Sequence, residues 1–228
     1  MNKLEEPPSL RPVNGLPVTL ALRTRRAYDR MSRVYGLTSS VLHSRAHQQA
    51  LDNSGVRDGM RILEVATGSG EMLRRLVRAN QNGMTLGIDL APNMASLAQR
   101  KIRRRFPLSA AQCHAVDARS MPFRDGSFDL VVCCYLLELL SSEDIVRTVD
   151  EFHRVLRARG RLALVMISQG AAAFNSLYRV LGKLAPAFWG RQVEERVPEL
   201  IVASDFRIVS EQVVRQGFYP SRVLVAHK

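Results

Sequence analysis

The segment Glu64-Val65-Ala66-Thr67-Gly68-Ser69-Gly70 combines an acid, a tight bend and a helix start, a combination able to seat a charged organic cofactor. It closes the apolar run 61–65, which has strand character, and it opens a helical pattern marked by Met72, Leu73, Leu76 and Val77. Gly68 and Gly70 allow a sharp turn and an approach that a β-carbon would block. The free N–H groups at the helix start then face the bound group. A dinucleotide fingerprint needs a third glycine three residues after the second, and that position is Leu73. Glu64 would repel a pyrophosphate but accept hydrogen bonds from an ammonium group. The pattern favours a cofactor bearing an amino acid, such as S-adenosylmethionine. About nineteen residues beyond Gly70, near the spacing of a ribose-binding acid, the strand pattern 84–89 ends in Asp89, the candidate diol ligand.

Methyl transfer from a sulfonium is an in-line displacement, which the protein serves by aligning donor and acceptor and excluding water. A general base is needed only where the nucleophile must shed a proton. The candidates are Tyr135 and Glu138, beyond the apolar run 128–134, and His43 and His47 on an early helical stretch. Tyr178 and Trp189 are acceptor-side candidates further on. The run Cys133-Cys134-Tyr135-Leu136 lacks the Asn/Asp-Pro-Pro-Tyr/Phe turn that holds a planar amide or adenine amine, so methylation of an exocyclic base amine is not expected. Two adjacent thiols in a buried strand read as packing residues.

These groups need a scaffold, and the chain beyond Arg61 supplies alternating patterns. Strands are predicted near 61–65, 84–89, 111–116, 128–134 and 160–167, with helices near 70–80, 93–105 and 142–156. Such alternation gives a mainly parallel sheet covered on both faces, with ligands beyond the carboxyl ends of the strands. Gly68, Asp89, Asp117 and Cys134 then share one edge. Before this core, residues 1–17 read as a flexible leader and 18–56 as a helical lid. Its first helix is basic and amphipathic, and a second runs from Ser39 or Ser40 to about Asn53. Residues 168–205 read as a helical cap insertion, with helical patterns at 171–184 and 193–204. Strand patterns at 206–215 and 221–227 close a single domain over 18–228.

The 228 residues and 46% apolar content suit one α/β domain. Three cysteines without zinc spacing fit a reducing compartment, and no apolar stretch approaches the ~20 residues that span a bilayer. A cytoplasmic protein is expected, peripheral on the inner face of the membrane. The net charge of +12 gathers in clusters such as Arg100 to Arg105, three readings of which are a solvated surface, attraction to an anionic membrane and attraction to nucleic acid.

From Tyr28 to Lys228 the chain resembles the class I S-adenosylmethionine-dependent methyltransferases, nearest to the ubiquinone/menaquinone C-methyltransferase-like group. The resemblance is carried in order by the segments 62–70, 87–94, Asp117-Ala118 with Met121-Pro122-Phe123, 128–134 and 156–162. It implies a Rossmann-like, mainly parallel seven-stranded sheet with helices on both faces and an antiparallel last strand. It places Glu64 and the Gly68-Ser69-Gly70 backbone around the methionine moiety, with Tyr28 reaching its carboxylate from the lid. Asp89 falls on the ribose, Leu90 on the adenine face, Asp117 with Ala118 at the adenine edge, and Cys134 beside the cofactor. Glu138 stands where quinone enzymes often place a basic residue. The implied acceptor is a small or lipid-like molecule, either a polyprenyl quinol or a phospholipid amine. Two rivals are an RNA or protein methyltransferase steered by the basic surface and a non-catalytic cofactor- or membrane-binding module.

Overall fold

Strands that read as unbroken apolar runs must be covered on both faces, and they occupy the middle of the sheet. The computed structural model describes residues 44–168, 196–216 and 220–228. Its centre is formed by β1 (Arg61–Val65) and β4 (Phe128–Cys134), paired in parallel with Ile62 opposite Leu130. Outward from β1 lie β2 (Met84–Asp89) and β3 (Gln112–Ala115). Outward from β4 lie β5 (Leu156–Ile167), β7 (Ser221–His227) and β6 (Arg207–Val214). The seven strands run in the order β3-β2-β1-β4-β5-β7-β6, and β7 is antiparallel to both of its neighbours. The expected sheet is thus present, including its antiparallel last strand.

Period-two alternation divides the side chains between two faces. On one face Leu63, Val65, Val131 and Leu162 pack with Val149 and Phe152 of α4 (Ser142–Val155) and Ile201 of α5 (Val197–Ala203). On the other, Ile62, Leu130 and Val132 meet Ala46 and Ala50 of α1 (Ser44–Ser54) and Met72 and Leu76 of α2 (Glu71–Ala79). A third cluster joins Leu73 and Val77 of α2 to Ala98 and Ile102 of α3 (Pro92–Arg105). Full burial of each such Leu, Ile or Val stabilises the fold by about 1.5–3 kcal/mol relative to exposure. Glu64 lies on the Ile62 face, between two apolar neighbours.

Two boundaries differ from the sequence reading. Strand β5 begins at Leu156 rather than near 160, because α4 passes directly into it and Leu156 pairs with Phe128. The register then shifts, so that Leu130 meets Arg161 and the segment between bulges. Among the described residues of the expected 193–204, helix α5 is Val197–Ala203, with Arg196 and Ser204 at its caps. The leader, the first lid helix with Tyr28, His43, and the cap segment with Tyr178 and Trp189 lie outside the described residues.

Candidate functional site

The order of strands reverses between β1 and β4, and open α/β sheets bind ligands at the carboxyl ends of the strands flanking such a switch point. Both central strands end in strained backbone there. Ala66 after β1 has φ 61° and Tyr135 after β4 has φ 57°, left-handed values that non-glycine residues rarely adopt. Gly68 and Gly70 complete the bend at φ 52° and 84°. A β-carbon on Gly70 would stand 3.1 Å from Ala98 Cβ and 3.2 Å from its Cα, so the second glycine serves both the turn and the seating of α3.

The loop is tied to β2 by a small set of hydrogen bonds. The Thr67 N–H and hydroxyl both donate to the Ile88 carbonyl, at 3.0 and 3.1 Å. Asp89 accepts from the Gly68 N–H at 2.7 Å and from the Ala91 N–H at 2.9 Å. Its carboxylate therefore clamps the glycine turn to the end of β2 and retains lone pairs for a further donor. Lys101 donates to the Ser69 carbonyl at 3.0 Å. Sequence reasoning placed Lys101 in a basic cluster, yet it lies three residues after Ala98, which packs on Gly70. That helical spacing was the available signal.

Glu64 is 2% exposed and its Oε2 has no hydrogen-bond partner among the described residues. Burial, reinforced by the negative charge of Asp89, drives its carboxyl well above the usual carboxylate range. A buried carboxyl with one oxygen unpartnered is costly to ionise, and a cation or strong donor placed against Oε2 would lower that cost. Burial likewise pushes the Cys133 and Cys134 thiols well above their ordinary range and Cys113 up to about 12, with Glu64 adding to each. All three remain neutral thiols near pH 7, consistent with packing rather than nucleophilic attack.

Asp117 follows β3 beside the end of β2, where the Val116 N–H donates to the Asp89 carbonyl at 3.0 Å. Its neighbours Leu90 and Ala118 are half-buried. The Asp117 carboxylate is held by the Arg119 guanidinium at 2.7 Å, and Arg119 also reaches Asp144 at 3.1 Å in the first turn of α4. Burial raises the Asp117 carboxyl, but the hydrogen bonds and charge of Arg119 outweigh it and hold the group below its ordinary value. Sequence reading singled out Asp117-Ala118 and missed Arg119 as its partner. Arg119→Ala is expected to lower stability by about 1–3 kcal/mol in urea unfolding at neutral pH, since two acids lose a mostly buried partner. The stabilisation from a depressed acid is present above its unfolded pKa and disappears as pH falls through its folded pKa. The difference between variant and wild type should therefore shrink in acid; an unchanged gap would contradict the pairing.

Beyond β4 the structure brings Tyr135 and His47 together, with ring centroids 5.9 Å apart. The Tyr135 hydroxyl shares a 2.8 Å hydrogen bond with Ser221 and accepts from the Gln216 amide at 3.0 Å. The Gln216 carbonyl oxygen accepts from the Ala46 N–H at 3.0 Å, which fixes the amide orientation and links α1 to this cluster. Neither Gln216 nor Ser221 was found from sequence, because their partners lie more than eighty residues away. Glu138 occupies a separate position in the 3-10 turn Leu137–Leu139, is 3% exposed, and accepts from the Ile167 N–H at 2.6 Å. That contact holds the turn after β4 against the end of β5.

Fold and crest together define an open α/β domain of the kind that seats a ligand beyond the carboxyl ends of its central strands. A family profile described as a methyltransferase domain matches residues 62–160. A demethylmenaquinone methyltransferase of Thermus thermophilus is 30% identical over 164 residues, 72% of this chain and 71% of its own. A ubiquinone/menaquinone biosynthesis C-methyltransferase of Citrifermentans bemidjiense is 27% identical over 204 residues, 84% of this chain and 83% of its own. Among solved structures, a magnesium protoporphyrin IX methyltransferase from Synechocystis with bound SAH shares the fold. Its TM-score is 0.71 at 21% identity, covering 92% of this chain and all of that one. The chain belongs to the class I S-adenosylmethionine-dependent methyltransferases, in the ubiquinone/menaquinone C-methyltransferase group. The unpartnered Glu64 Oε2, the left-handed glycine turn and the clamped Asp89 carboxylate fit its cofactor, S-adenosylmethionine.

Proposed function

We propose that the protein methylates a ring carbon of a prenylated quinol at a membrane surface. The observation that carries this reading is that the relatives aligning over most of the chain are named for ubiquinone, menaquinone or demethylmenaquinone methylation. The cofactor supplies an electrophilic methyl group on a sulfonium. In this reading Glu64 and the Gly68-Ser69-Gly70 backbone hold its amino-acid end, Asp89 its ribose, and Leu90, Asp117 and Ala118 its adenine. Cys134 closes the wall beside it as a neutral thiol, and Tyr28 contributes from the lid.

A quinol carbon becomes strongly nucleophilic once an adjacent hydroxyl gives up its proton. Tyr135 and His47, adjacent at the crest beyond β4, are the groups we assign to receive and pass on that proton. The hydrogen bonds from Ser221 and Gln216 support this role by fixing the phenol in one orientation. Glu138 is assigned a scaffolding role, because its carboxylate already accepts from the Ile167 N–H. No helix among the described residues is long and apolar enough to cross a membrane, so access to a lipid-like acceptor is assigned to surface attachment.

The test is incubation of the full chain with labelled S-adenosylmethionine and, in separate reactions, a reduced 2-prenyl-1,4-naphthoquinone, phosphatidylethanolamine vesicles and bulk RNA. One methyl on the quinol ring carbon is the expected product. Label confined to the phospholipid amine or to RNA would replace the quinol acceptor while leaving the donor site standing.

A further inference from the structure

The edge of the sheet opposite the cofactor crest carries a second concave site. A cleft of about 580 Å3 is lined by Arg57, Arg157, Arg159, Arg161, Arg207 and Lys228, with His227 between them. Pairing across three strands sets Arg161 directly opposite His227 and His227 directly opposite Arg207. Two guanidinium groups on neighbouring strands are thereby gathered about one imidazole. Burial first, and then Arg161 and Arg207, hold the His227 imidazole below its ordinary value, so a neutral ring stands between two cations.

Some of the lining cations are already engaged. Arg157 pairs with Asp129 at 2.7 Å, and Lys228 donates to the His153 and Leu156 carbonyls at the end of α4. Arg57, Arg159 and Arg207 are exposed and have no acid partner among the described residues. Four non-glycine residues among those described have left-handed backbone; two flank the cofactor crest, and the other two, Arg159 (φ 63°) and Asp205 (φ 60°), line this cleft. Asp205 forms the left-handed cap of α5, closed by the Phe206 N–H on the Ile201 carbonyl at 3.1 Å, and Arg159 lies in the bulged segment of β5, so both are set by the fold at the rim of the cleft. Guanidinium groups match phosphate oxygens in geometry and charge.

We propose that this cleft binds a phosphate-bearing anion, held by Arg159 and Arg207 with Arg57 beside them, at a site separate from that of the methyl donor. The phosphate groups come either from a free polyphosphorylated molecule or from an anionic lipid headgroup.

The probes are inorganic diphosphate and phosphatidylglycerol vesicles, applied to the full chain, to the charge-reversed pair Arg159→Glu with Arg207→Glu, and to a control pair Arg103→Glu with Arg104→Glu on the exposed end of α3. Both pairs change the net charge equally. Diphosphate should raise the unfolding temperature of the wild type saturably and shift the His227 ring signals in NMR. The cleft pair should weaken this binding about tenfold or more, while the control pair leaves it near wild type. Affinity for S-adenosylhomocysteine, unchanged in all three proteins, confirms that the fold and donor site are intact. Vesicle sedimentation lost only in the cleft pair, without diphosphate binding, supports the site with a headgroup as its source. Absence of both kinds of binding overturns the proposal, as does equal loss in the two charge-reversed pairs, which would mean a diffuse positive field.

Discussion

Glu64→Gln should unfold at a higher temperature than the wild type without cofactor and yet bind S-adenosylmethionine far more weakly. The stability gain arises because the wild-type carboxyl is buried with Oε2 unpartnered and faces the charge of Asp89. The carboxyl must take up a proton to be buried near neutral pH, whereas the amide is neutral at every pH and bears no such cost. The sign also appears in the pH dependence. An acid whose folded pKa is raised contributes stability that is full below its unfolded pKa and is lost as pH rises through its folded pKa. The cofactor-free wild type should therefore weaken from mildly acidic toward neutral and alkaline pH, and Glu64→Gln should flatten that decline. Binding behaves in the opposite way. The amide carries no charge to pair with the cofactor's ammonium, and removing one member of a buried charge pair costs about 2–5 kcal/mol of affinity. Thermal unfolding across pH combined with calorimetric titration checks both halves. A variant that binds as well as wild type would remove Glu64 from the site.

Asp89→Ala should lose cofactor affinity and also loosen the loop that forms the site. The direct part is about 1–3 kcal/mol for charge-assisted hydrogen bonds to a sugar diol. The structure adds an indirect part, since the same carboxylate accepts from the N–H groups of Gly68 and Ala91. Asp89→Asn retains one carbonyl oxygen for those donors and should fall between wild type and alanine. Amide hydrogen exchange at Gly68 separates the two parts: it should accelerate strongly in the alanine variant and modestly in the asparagine variant. Unchanged exchange with reduced affinity would confine Asp89 to ligand contact, and wild-type affinity in both variants would contradict the assignment.

Features built from neighbouring residues were legible in the sequence, and those built across the sheet were not. The apolar runs ending at Val65 and Cys134 placed the central strands, and the two glycines with Leu73 in the third position separated this turn from a dinucleotide loop. The helical spacing after Gly70 gave α2 almost to the residue. By contrast, the strain at Ala66 and Tyr135 has no compositional sign, because neither residue type favours left-handed backbone. The early start of β5 was hidden because the apolar run begins only after Gly160, whereas the structure draws residues 157–159 into the strand through a register shift. The Tyr135–Ser221–Gln216 cluster depends on β7 folding back beside β5, a tertiary event that no local pattern encodes. Arg119 lay within two residues of Asp117 and could have been found by asking what would pair with a half-buried acid.

The central claim is that the crest between β1 and β4 grips an S-adenosyl group through its amino end, its sugar and its base. The most direct measurement is calorimetric titration of the full chain with S-adenosylhomocysteine in two buffers of different ionisation enthalpy. A saturable single site is predicted, with heats that differ between the buffers because Glu64 releases its proton as the ligand's ammonium arrives. A natively folded chain giving no saturable heat with this ligand or with S-adenosylmethionine would contradict the account.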